Sequence, residues 1–219
     1  MINILRILVI SFCLLMPTIA KATAQQPDEI ILSGKSYRLQ TNPLDDYLER
    51  EGWKPPEEAN IWSSNWRGYI AIWVKEGSLL VLKDITIRVN DPDGETPADE
   101  LTKSIFTDLF PNQDQVVATW YSGSLIIPVG EMVEYVHMGY GTTYSKYEVL
   151  KVKNGIIWDC MSFGNEEFES YKKLKFDDFK KTLLYQEALS ELITGEEPWS
   201  TQGAENFMYD FFVDKYLSQ

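Results

Sequence analysis

Histidine and cysteine are nearly missing from this chain, which holds one of the first and two of the second. A zinc site takes three or four such ligands, so that chemistry has no donor set here and no metal or cofactor is expected. Cys13 lies in an apolar leader, which leaves Cys160 as the single thiol of the remainder. No intramolecular disulfide can then form, and the fold has to stand on its core. Basic residues are scarce too: 20 Lys and Arg face 33 Asp and Glu, a net charge of −13. A field of that sign repels phosphate backbones and anionic lipid surfaces, which argues against nucleic-acid and membrane-surface binding and favours a cationic partner. The Gly-x-Ser-x-Gly elbow of many serine hydrolases is missing as well. Beyond the leader, no apolar run approaches the roughly 20 residues that a membrane span needs.

The leader itself is well formed. Arg6 supplies a positive start, Ile7 to Ile19 is an apolar run broken only by Ser11, Pro17 and Thr18, and Ala22-Thr23-Ala24 offers small residues for cleavage. That order predicts a secretory signal peptide over 1–24 and export to a periplasm or beyond. Arg6 and Lys21 leave with it and no acid does, so 18 basic residues face 33 acids in the rest, a net −15. Residues 25–219 are expected to form one globular domain.

Turn signals and alternation predict an α+β fold, with a mainly antiparallel sheet built of hairpins, helices packed on one face, and a helical C-terminal third. Ile30 to Leu39 reads as a hairpin around Ser33-Gly34, and Asn42-Pro43-Leu44-Asp45 as the capped start of a short helix. Asn65 to Lys75 alternates, turns at Glu76-Gly77, and returns over Leu79 to Val89. Val116 to Ile127 reads as a third hairpin turning at Ser122-Gly123, and Asn154-Gly155 joins a fourth. Thr96-Pro97-Ala98-Asp99 looks like a capping box leading into a helix with Leu101, Ile105 and Leu109 on one face. Further on, Phe176, Phe179 and Leu183 share a helical face, Gly195 suits a helix end, and Phe207 to Tyr216 reads as a last amphipathic helix.

The most distinctive string is Trp66-Arg67-Gly68-Tyr69-Ile70-Ala71-Ile72-Trp73. Alternation puts Arg67, Tyr69 and Trp73 on one strand face, where an Arg flanked by aromatics can stack and still fork its donors onto a carboxylate. One reading is an anion- or partner-binding face; the other is a structural Arg paired with an acid beneath a helix. Together with Asn42-Pro43-Leu44, Tyr47 and Trp120-Tyr121-Ser122-Gly123, this string resembles a group of uncharacterised bacterial exported proteins over about half of the exported part. The resemblance implies export but no activity, and it carries over no functional residues.

Two further binding candidates, His137 and Tyr140, lie in Val136-His137-Met138-Gly139-Tyr140-Gly141, where the glycines suggest a tight loop that exposes backbone N–H groups. No Lys-Ser/Thr comes after them, which excludes a phosphate loop. Asp91-Pro92-Asp93-Gly94 imitates part of a calcium loop, but it reads better as a β-turn. Cys160 shares a face with Ile156 and Trp158, with Val149 expected opposite, and this predicts a buried thiol rather than a nucleophile. Trp53, Trp62, Trp66, Trp73 and Trp120 could line a groove, although most tryptophans of a compact domain belong to its core. These features favour a non-enzymatic exported binding protein, of the inhibitor or immunity kind, for a basic partner. The alternative is a carboxylate-based hydrolase of the cell envelope.

Overall fold

In the computed structural model the described residues are 24–218 apart from 97–98, 137–139 and 196. The expected leader therefore lies outside them but for its last residue, as does His137. The main sheet runs β2 (Lys35–Leu39), β1 (Asp28–Leu32), β3 (Ile70–Glu76), β4 (Leu79–Asn90), β11 (Ile156–Gly164), β10 (Lys146–Lys153), β7 (Gly123–Pro128). Neighbours are antiparallel except β1 and β3, which run parallel, and β8 (Met132–Glu134) and β9 (Thr143–Tyr144) pair as a separate two-stranded sheet. Two hairpins of the main sheet are set by their turn residues. Asn154 and Gly155 both take positive φ (49° and 76°), the backbone a two-residue hairpin turn needs, and Ser33-Gly34 does the same between β1 and β2.

The two ends of this path meet where the Gln40 N–H donates to the Ile126 carbonyl at 2.8 Å. The sheet thus curls into a partly open barrel. Its interior holds Ile30, Trp73, Leu82, Leu125, Ile127 and Leu150, all buried. Leu44, Leu48 and Phe106, from α1 (Asp45–Arg50) with its preceding turn and from α2 (Phe106–Leu109), complete this core. A second core lies outside the barrel wall. Ile126, Tyr147 and Val149 point outward from β7 and β10, and α3 (Asn165–Phe179), α4 (Leu183–Thr194), α5 (Thr201–Phe211) and α6 (Val213–Leu217) cover them with Phe168, Phe179, Tyr185, Met208 and Tyr216. The α+β architecture and the helical C-terminal third are as the sequence suggests.

Several local expectations are overturned, each for a non-local reason. Residues 100–104 form not a helix but β5 (Glu100–Ser104), paired with the far end of β4 from Asn90↔Glu100 to Thr86↔Ser104. The Thr96 N–H does donate to the Asp99 carboxylate, as in a capping box, at 2.8 Å. The long β4 edge nevertheless recruits Glu100 to Ser104 as a strand, tertiary pairing overriding local propensity. Val116 to Ile127 is not a hairpin either. β6 (Val116–Val117) adds to β4 while β7 pairs with β10. Asn42 does not cap α1, because its Oδ1 accepts the Tyr140 hydroxyl at 2.7 Å. Leu183 is exposed, since the helix breaks between α3 and α4 before reaching it. Cys160 is exposed rather than buried. A bulge at Lys151/Val152 shifts the register by one, so Leu150 and not Val149 lies opposite it. Asp91 to Gly94 is a turn, with the Gly94 N–H on the Asp91 carbonyl and the Asp93 N–H on the Asp91 carboxylate.

The C-terminal α6 carries one charge at odds with its surroundings. Burial pushes the Asp214 carboxyl up from 3.8 to about 6; Lys215 opposes this and Asp46 of α1 adds to it. The folded state therefore holds this proton more tightly than the unfolded one. The associated stability is full below the unfolded pKa and is lost as the pH rises through about 6. Asp214→Asn should accordingly leave the stability near pH 4 almost unchanged. Near pH 7.5 it should stabilise the fold by on the order of 2 kcal/mol, measured by urea denaturation at both pH values.

Candidate functional site

Asp28 opens β1 and is fully buried. Parallel pairing with β3 sets it beside Ala71, whose N–H donates to its Oδ1 at 3.1 Å. Arg67 Nη1 donates to the same oxygen at 2.9 Å, and the Trp73 Nε1–H reaches Oδ2 at 3.2 Å. The other arm of the Arg67 fork, Nη2, donates to the Gln26 carbonyl at 3.1 Å. The guanidinium lies 4.7 Å from the Tyr69 ring centroid and 3.7 Å from Asp45 Oδ1, which also accepts the Tyr69 hydroxyl. Tyr140 completes the group through Asn42, while Gln40 Nε2 donates to the Tyr140 carbonyl at 3.2 Å.

The local backbone makes this convergence possible. Arg67 precedes β3 in a turn rather than lying within a strand, and Gly68 there adopts φ +72°. A Cβ at Gly68 would stand 2.7 Å from Pro55 Cγ, so both backbone and space require glycine. The close approach the glycine permits is that of Pro55.

Burial and neighbouring charge pull in opposite directions on several members of this group. Burial works against the Arg67 charge, but Asp28, with further help from the tyrosines and Asp45, holds its pKa well above the ordinary value. Burial, reinforced by Asp28, keeps Tyr69 neutral. Tyr140 is likewise raised by burial, with Arg67 opposing. Asp45 is raised by burial against the pull of Arg67 and the Tyr69 hydrogen bond. Asp28 receives donors on both oxygens and has no access to solvent, so it cannot act as an acid or base on a substrate. Asp45, with its side chain 37% exposed, is the one carboxylate of the pair that reaches water. The arrangement is a clamp, not a pair of open carboxylates of the kind that hydrolyses a glycosidic bond.

Four of the five residues singled out in the sequence, Arg67, Tyr69, Trp73 and Tyr140, thus meet in one place. The first three are buried, so the face they share is barrel interior and not an open binding surface. The fifth, His137, lies outside the described residues. Pro43, Tyr47 and Trp120 also meet beside this group. The Trp120 Nε1–H donates to the Pro43 carbonyl at 3.0 Å, and its ring centroid lies 4.6 Å from that of Tyr47. Sequence reasoning missed Asp28 and Asp45. A signal for the first existed: Asp28, Ile30 and Leu32 share one strand face, which points the carboxylate toward the core.

Directly outside the clamp, the loop 61–66 turns its apolar side chains to solvent. Ile61 is 54% exposed, Trp62 43% and Trp66 65%. Trp53 and Trp120, by contrast, are half-buried against the barrel core, and Trp73 is inside it. The loop is pinned at both ends: the Asn65 N–H donates to Trp62 O at 2.9 Å, Gly68 N–H to Asn65 O at 3.1 Å, and Gln26 N–H to Ser64 O at 2.6 Å. Among the described residues no group of three or more His, Cys, Asp or Glu is placed to hold a metal ion. No family model, curated protein or solved structure matches this chain.

If the clamp depends on the Gly68 turn, Gly68→Ala should destabilise the protein by at least about 2 kcal/mol, through a disfavoured φ plus the Pro55 clash. Urea denaturation at pH 7 measures this, with Gly77→Ala as a comparison that has φ +60° but nothing within 4 Å of the new Cβ.

Proposed function

We propose that the chain is an exported, non-enzymatic interaction protein that docks a cationic protein partner on its loop 61–66. The observation that carries this reading is the exposure of Trp62 and Trp66 on a backbone immobilised by the buried Asp28–Arg67 clamp. Exposed indole rings are costly to hold in water unless something covers them. Pre-positioned aromatic anchors lose little freedom on binding, so more of their burial energy remains as affinity. The net −15 of residues 25–219 supplies the complementary charge, which speeds encounter with a basic protein and repels acidic ones. The leader pattern over 1–24 and the resemblance to exported proteins support encounter outside the cytoplasm.

The test uses residues 25–219 as bait against native envelope and culture medium, at low and high salt. A basic protein should be retained at low salt and released at high salt. With that protein purified, Trp62→Ala/Trp66→Ala should bind it at least about 30-fold more weakly, corresponding to roughly 2 kcal/mol from the aromatic anchors. Its thermal midpoint should be unchanged, since both rings face solvent. Undiminished binding by the double variant would refute the assignment of the loop.

A further inference from the structure

The two edges of β11 are unequal. One pairs with β10 along its whole length, from Lys153↔Ile156 to Lys146↔Gly164. The other meets β4 at a single register position, Ile156↔Leu79. Because that pairing is antiparallel, the rest of β11 runs past the start of β4: the Ile157 N–H donates to the Ser78 carbonyl in the preceding turn at 2.7 Å, and later residues extend beyond it. From Trp158 to Gly164 the outer edge of β11 has no strand beside it among the described residues. One of its backbone donors, the Cys160 N–H, is instead given to the carboxylate of the preceding residue, Asp159, at 2.9 Å.

Natural sheet edges are usually blunted with lysine or proline. Trp158-Asp159-Cys160-Met161-Ser162-Phe163-Gly164 contains neither, and it holds a single charged residue. Trp158 is 57% exposed and Cys160 is exposed beside it.

We propose that this edge pairs with the same edge of a second copy of the chain, antiparallel about a two-fold axis at Cys160. Such pairing sets Trp158 against Ser162 and Asp159 against Met161 of the other copy, so no acid meets an acid. Charge selects this occupant. The flanking charges divide by sign: Lys151 lies 5.4 Å from the Trp158 ring centroid and Glu148 accepts the Ser162 hydroxyl at 2.6 Å, so the two-fold sets the basic end of each strip against the acidic end of the other. The Cys160 N–H passes from its own Asp159 to a carbonyl of the partner strand. The two Cys160 Cα atoms then stand about 5.5 Å apart, the spacing of a hydrogen-bonded antiparallel pair, within the range a disulfide spans. This contact is separate from the loop 61–66 and does not depend on its role.

Sedimentation equilibrium of residues 25–219, which hold nearly every described element, tests the proposal under reducing conditions. A monomer–dimer equilibrium is expected, strengthened by added salt, which screens the like charges of the two copies. Cys160→Ser should still dimerise, because the strand and not the thiol makes the contact. Cys160→Lys sets two ammonium groups opposite each other on an exposed edge; it should be monomeric, with an unchanged far-ultraviolet circular dichroism spectrum and thermal midpoint. Copper(II)-phenanthroline, taking one electron from each of two thiols, should trap the wild-type dimer as a Cys160–Cys160 disulfide. A wild-type chain that stays monomeric at high protein and salt concentration, or a Cys160→Lys variant that dimerises as well as wild type, overturns the proposal.

Discussion

A carboxylate taken wholly out of water costs several kcal/mol unless charge and hydrogen bonds replace the water it loses. Asp28 imposes that requirement on this fold, and few arrangements meet it. The residues around it, Ile30, Ala71, Trp73 and Leu82, could pack against one another in many ways, because apolar contacts are non-directional. The Asp28 oxygens are directional. They need the Arg67 fork, the Ala71 N–H and the indole N–H of Trp73 at once. That need accounts for the one parallel pairing in the sheet, β1 with β3, since parallel register brings Asp28 level with Ala71. It also accounts for the glycine turn before β3 and, through Asp45, for the docking of α1 against the same group.

β4 shapes the rest. It is the longest strand, and along one edge it hands its hydrogen bonds in turn to β11, β6 and β5. β11 keeps only its first residues beside β4, because the antiparallel register carries the others past the start of that strand, and the barrel stays open there. The helical layer does not close that gap; it covers the outer wall of β7 and β10, where Ile126, Tyr147 and Val149 would otherwise meet water.

How far the sequence can be read depends on the range of the forces involved. The Ser33-Gly34 and Asn154-Gly155 turns are set by the φ of adjacent residues and are legible locally. Ala71 and Trp73 of β3 are buried on one side as the alternation suggests, but Arg67 joins them from a turn before the strand. Alternation cannot say whether a face is open or closed, and here it is closed, because the counter-charge is Asp28, 39 residues away in sequence. Glu100 to Ser104 is illegible for the same kind of reason. Its capping-box signal is real, as the Thr96–Asp99 bond shows, but the vacant end of β4 decides its state. The placement of Cys160 turns on one bulge, which no residue pattern on its own strand announces.

The clamp and the exposed loop are two faces of one arrangement: buried charge fixes the backbone, and the fixed backbone presents Trp62 and Trp66. The most direct test of this account is a double-mutant cycle with Asp28→Asn, Arg67→Met and their combination, followed by urea denaturation at pH 7. Each single change strands a buried partner and should cost about 3–5 kcal/mol, while the double variant should cost well below the sum, leaving a coupling of roughly 2 kcal/mol or more. Additivity within about 0.5 kcal/mol would mean that the pair does not organise the fold.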